Sequence, residues 1–252
     1  IRDSRSTSGP GELSETMELH GRNSSFAEHM IQYYLHLRTD WPVPESVEVI
    51  DSIRHPETMG TLSTFYRRFL AEPYPRVGLF GINPGRFGAG QTGVQFTDPV
   101  QLEQVLGIES PFAKRSELSS TFVYRVIAGY GGPRAFFRDF YLSCLCPLGF
   151  TRQGKNCNFY DLPELRRVTE PWIVEHIQTQ LDAGLTSRVA ICLGRGRNIE
   201  VFEELNQAHG FFQRILVLPH PRWVMQYRRS KLDDHLREYL DCLKDARCLL
   251  PG

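Results

Sequence analysis

A chain of 252 residues with 41% hydrophobic side chains and 12% aromatics is long enough to bury a sizeable core, as one α/β domain or two small ones. Lysine plus arginine and aspartate plus glutamate stand at 29 each, so no overall basic excess attracts polyanions, and nucleic-acid contact requires a local patch. No run approaches the roughly 18–20 consecutive apolar residues of a membrane span, and the N-terminus lacks a signal peptide's apolar core, which argues against a membrane or secreted protein.

Residues 1–16, IRDSRSTSGPGELSET, are polar and read as a disordered or vector-derived leader ahead of a single domain over 17–252. Apolar residues recur at helical spacing over 26–37, behind Ser24 or Ser25 as N-cap, and a second helix is expected over 61–70. RVGLFGINP at 76–84 is then a continuous apolar run, the pattern of a buried strand, and it opens a glycine-rich loop. FYLSCLCPLGF at 140–150 reads as another strand, as do RVAICLG at 188–194 and RILVLPH at 214–220. Helical patterns cover 162–183, 198–208 and 224–243. Strands alternating with helices imply a mostly parallel central sheet with helices on both faces, a three-layer α/β/α fold. Ligands of such sheets sit beyond the strands' carboxyl ends, so the glycine loop and PHPR at 219–222 are expected to share one rim.

Six cysteines, at 144, 146, 157, 192, 242 and 248, lack C-x-x-C spacing and a partnering histidine pair. They read as reduced, intracellular thiols, and neither a metal nor another cofactor is expected.

GINPGRFGAGQTGVQF at 81–96, followed by LPHPR at 218–222, resembles the uracil-DNA glycosylase superfamily, and within it the single-strand-selective monofunctional family. There the pattern runs Gly-x-Asn-Pro-Gly-x-Phe-Gly, then Gln-Thr-Gly-Val-Pro-Phe, and later His-Pro-Ser-Pro-Arg. The likeness covers about sixteen positions of the first motif and the element order over 60–243. With three departures the pattern looks like a divergent second branch of that family, known mainly from bacteria. Gln95 replaces a proline, the Ser-Pro insertion after His220 is missing, and LSCLCPL at 142–148 aligns with a segment whose asparagine reads uracil. By position that asparagine becomes Cys144; by hydrogen-bonding chemistry the neighbouring Ser143 is the better candidate.

The resemblance implies a monofunctional hydrolase that removes uracil, and uracils with small 5-substituents, from DNA to leave an abasic site. Asn83 cannot take a proton near neutral pH, so its part is to hold and orient water. His220 is placed to donate a hydrogen bond to the base O2, where negative charge develops; the competing reading is a histidine satisfied by backbone at a strand end. Phe96 is the implied stacking residue for an extruded base, with Phe87 either a second platform or core. Gly85 stands where relatives strict for uracil carry a tyrosine, leaving space beside C5. The surrounding backbone, including Gly81 and Ile82, is expected to approach the base or its phosphates. Arg222, Trp223, Val224, Met225, Arg228 and Arg229 mix cations with apolar wedges as a DNA-binding patch, or else begin an amphipathic helix. LGRGRN at 193–198 is a phosphate turn or a structural one.

No lysine lies in either rim motif, so no Schiff-base chemistry is expected. The expected partner is uracil-bearing DNA, bound by a monomer with no membrane contact, in the cytoplasm or nucleoid of a bacterium or the nucleus of a eukaryote. Competing functions are a mismatch-specific uracil/thymine glycosylase, argued against by FGAGQTGVQF, and a catalytically idle DNA- or nucleotide-binding module.

Overall fold

Residues 25–250 are described by the structure, a computed structural model, so the leader over 1–16 and Ser24 lie outside the described residues. Helix α1 (Phe26–His36) opens with Ser25, whose Oγ accepts the Glu28 N–H at 3.3 Å. Strand β1 (Glu48–Ile50) and a short 3₁₀ turn lead into α2 (Pro56–Phe69), which starts a turn earlier than expected because Pro56 fits the first helical position. Strand β2 (Arg76–Gly81) is buried throughout.

Four helices went unassigned in the sequence: α3 (Ala89–Thr92), α4 (Pro99–Gln104), α5 (Leu118–Tyr130) and α6 (Pro133–Asp139). α5 is rich in β-branched and aromatic residues, which favour strands when judged locally, and it is held helical by burial on several sides. The expected strand over 140–150 divides into β3 (Phe140–Cys144) and β4 (Gly149–Arg152). β4 leaves the main sheet and pairs antiparallel with β1 and with β5 (Lys155–Cys157) in a second small sheet.

The chain continues through α7 (Pro163–Asp182), β6 (Leu185–Leu193), α8 (Arg197–His209) and β7 (Ile215–Leu218). The helix expected over 224–243 is two, α9 (Pro221–Tyr227) and α10 (Leu232–Arg247), parted by a 3₁₀ turn at Arg229–Lys231. Four successive polar residues, Arg228 to Lys231, offer no apolar position to bury, and the helix breaks there.

The main sheet is wholly parallel with order β3-β2-β6-β7. From β2 the chain moves to one neighbour and later returns to the other, so its carboxyl end is a topological switch point. On one face Phe80 packs on Phe202 of α8 and on Phe212, Tyr141 on Phe26 of α1 and Tyr66 of α2, and Ser143 meets His176 of α7. On the other, Phe140 packs on Tyr130 of α5 and Phe136 of α6, and Phe122 of α5 on Tyr239 of α10. These two helical layers complete the α/β/α sandwich.

Candidate active site

A cavity of about 790 Å³ opens at the carboxyl ends of the parallel strands. Asn83, two residues past β2, and His220, two past β7, both line it, as do Ile82, Gly85, Phe87, Phe96, Cys144, Arg222 and Trp223. The expectation of one shared rim is met in the geometry.

The Asn83 amide is tied into the fold as well as facing the cavity. Its Nδ2 donates to the Cys157 carbonyl at 3.3 Å and to the Pro84 carbonyl at 3.5 Å, and its Oδ1 accepts the Phe159 N–H at 3.1 Å. Both amide hydrogens are used, and one lone pair of Oδ1 stays free for a water.

His220 is the N-cap of α9, and its Nδ1 accepts the Arg222 backbone N–H at 3.2 Å. An accepting Nδ1 assigns the proton of the neutral ring to Nε2. Burial, joined by the Arg222 charge, lowers the imidazole to about 4, so the ring is neutral at pH 7. The backbone contact of the competing reading is therefore present, and it leaves one N–H free to donate.

Phe96 holds φ at 55°, a region that non-glycine residues rarely adopt. Its ring lies 6.1 Å from that of His220. A Cβ on Gly81 would fall 2.5 Å from Phe96 Cζ, so Gly81 makes room beneath that ring and does not line the cavity. Phe87 is neither core nor free platform: the Arg115 and Arg86 guanidinium groups lie 3.6 and 4.3 Å from its ring centroid. A Cβ at Gly85 would meet Asn156 Nδ2 at 3.4 Å and Glu117 Oε1 at 3.7 Å, so the space there is real but bounded.

Two further expectations need correction. Ser143 is fully buried on the opposite face of β3, its Oγ 3.5 Å from His176 Nε2, and Cys144 is the residue of that segment lining the cavity. Val224 and Met225 are buried on the inner side of α9 and cannot act as wedges from there. The exposed side carries Trp223 and Tyr227, 38% and 59% exposed, with the Arg228 guanidinium 4.7 Å over the Trp223 ring and Arg229 exposed beyond. Of the two readings open for LGRGRN the geometry favours the structural turn: the motif lies away from the cavity, Asn198 closes it on itself by donating to the Leu193 carbonyl at 3.3 Å, and Arg195 pairs with Glu238.

Gln95 and Glu117 are among the cavity residues to which the sequence assigns no role. Gln95 is 5% exposed, and its Oε1 accepts the Cys144 thiol at 3.2 Å. Glu117 sits against Gly88, its carboxylate filling the space that a Cβ there would need. Burial and Asp98 raise its pKa, against Arg222, the Phe87 N–H and Arg115. Lys155 of β5 also reaches the rim, although neither motif contains a lysine.

The doubly wound sheet has its cavity at the switch point, with an amide from the first motif at one strand end and a neutral imidazole from LPHPR at another. The family profile of the uracil DNA glycosylase superfamily matches residues 69–244, and the chain belongs to that superfamily. It is 32% identical over 138 residues to the single-strand selective monofunctional uracil-DNA glycosylase of Rattus norvegicus and 31% identical over 138 residues to that of Mus musculus. Each alignment covers 46% of this chain and 46% of the relative, so the chain matches about half the length of either. A crystal structure of wild-type SMUG2 from Pedobacter heparinus superposes with a TM-score of 0.85 at 35% identity, covering 88% of this chain and 97% of that one.

Proposed function

We propose that the protein hydrolyses the N-glycosidic bond of uracil in DNA, releasing the base and leaving an abasic site. The observation that carries this is the His220 ring, neutral and capped at Nδ1, with its Nε2–H free in the cavity that Asn83 lines. An extruded uracil stacks on Phe96. As the C1′–N1 bond breaks, its electron pair passes into the base, and Nε2–H of His220 donates to the O2 atom where the charge collects. Water held by the free lone pair of Asn83 Oδ1 bonds to C1′ of the oxocarbenium-like sugar, and its proton passes to the departing base or to solvent. The space beside Gly85 extends this reading to uracils with small 5-substituents. Arg222, Trp223, Tyr227, Arg228 and Arg229 on the exposed side of α9 and the turn after it are the contact to flanking DNA.

The test is a set of oligonucleotides, single-stranded and duplex, each bearing one altered base, incubated with the protein and then treated with alkali. Cleavage at uracil in single strands is expected. Cleavage confined to G·U mismatches points to a mismatch-specific glycosylase, and no cleavage at any base to an idle binding module. Borohydride is expected to trap no covalent adduct; an adduct through Lys155 would overturn the monofunctional reading.

A further inference from the structure

We infer that the Gln95 carboxamide reads the hydrogen-bonding edge of the extruded base. This rests on the glycosylase reading above. Two of the departures from the family pattern, glutamine for proline at 95 and cysteine for asparagine at 144, lie far apart in sequence. In the fold they touch, Cys144 Sγ donating to Gln95 Oε1 at 3.2 Å on the cavity wall beside Phe96. A carboxamide is thus missing from the end of β3 and present, within one hydrogen bond of the same place, on the loop after α3.

The other amides lining the cavity are committed or outward. Asn83 is tied to Cys157 of β5 and to Phe159, Asn156 is exposed and accepts the Arg86 N–H at 3.4 Å, Asn158 bonds Asp161 at 3.2 Å, and Gln226 is exposed. Gln95 is buried, and its neighbours fix which way it faces. The Cys144 thiol, held protonated by burial, occupies one lone pair of Oε1. The second lone pair of Oε1 and the amide N–H₂ form an acceptor–donor pair. Uracil presents the complement, N3–H beside O4. Cytosine presents N3 and N4–H₂, which requires the amide to flip and turn its N–H₂ onto a thiol, a weak acceptor. Thymine shares uracil's donor–acceptor order, so the amide discriminates against cytosine and not against a 5-methyl group.

The experiment compares affinity for oligonucleotides carrying 2′-fluoroarabino-uridine or 2′-fluoroarabino-cytidine, which resist hydrolysis, together with single-turnover release from ordinary deoxyuridine. Wild type is expected to prefer the uridine probe by about 10- to 100-fold, the usual effect of buried polar groups left unpaired. Gln95→Met fills the same volume without an amide; it should bring the two affinities within about threefold and slow uracil release on the order of 100-fold. Gln95→Pro combined with Cys144→Asn should recover the preference that Gln95→Pro alone loses, which a packing role does not predict. Melting curves establish that each variant folds, and the double variant carries the test where Gln95→Met does not. Gln95→Met retaining the wild-type preference, or the double variant failing to recover it while folded, overturns the assignment and leaves the glycosylase reading standing. Wild type that releases no uracil and shows no preference overturns both.

Discussion

His220 holds two jobs in one ring, and substitution can part them. Nδ1 caps α9 by accepting the Arg222 N–H, and Nε2–H faces the cavity. Losing an N-cap acceptor costs about 0.5–2 kcal/mol, which lowers the melting temperature by roughly 1–8 °C in a domain of this size. Losing one donor to a developing oxyanion costs about 2.7–4 kcal/mol of transition-state stabilisation, a rate loss on the order of 10²–10³. His220→Ala therefore loses both. His220→Asn places a favoured capping residue at the same position, with an amide too short to reach where the imidazole N–H stood. The expected outcome is a recovered melting temperature and an unrecovered rate, read by thermal unfolding and single-turnover uracil release. If asparagine restores rate and stability together, or alanine leaves the rate intact, the histidine is a cap and the leaving-group account is wrong.

Asn83→Ala is expected to lower uracil release by about two orders of magnitude while binding of uncleavable substrate stays within a few-fold. Because the amide also holds Cys157 and Phe159, protease sensitivity of that segment should rise; an equal loss of binding and rate would reassign Asn83 to the fold. Gly85→Ala should be tolerated, since its Cβ meets Asn156 and Glu117 at ordinary contact distance, and Gly85→Tyr should suppress 5-hydroxymethyluracil release more than uracil release. Alanine abolishing both refutes the steric reading. His176 and His220 are lowered by burial to about 3 and about 4 from 6.5, so the unfolded chain takes up protons first. The stability from these neutral rings is fully present above pH 6.5 and drains as pH falls toward 4; a melting temperature unchanged from pH 7 to 4.5 contradicts their burial as neutral groups.

How much of this was legible in the sequence varies by residue. Asn83 and His220 stood out because each follows directly on an apolar run, and parallel strands bring their carboxyl ends together whatever lies between. Cys144 against Ser143 was not decidable, because β3 is buried on both faces and carries no alternation from which to read the strand's phase. Val224 and Met225 were misassigned for a related reason: a seven-residue helix shows too little periodicity to separate wedge from core. Gln95 was visible only as a departure, and its meaning depends on a contact with residue 144, 49 positions away. Glu117 left no local signal at all, since what sets it apart is close approach to Gly88 and burial beside Asp98.

The most direct measurement is a single-turnover time course of uracil release from a single-stranded oligonucleotide with one deoxyuridine, for wild type, Asn83→Ala, His220→Ala and the double variant. Free uracil and an alkali-labile site are expected in equal amounts with wild type, and each single variant should be slower by at least about 100-fold. Absence of uracil release by the folded wild-type protein, or release undiminished in both single variants, would contradict the account.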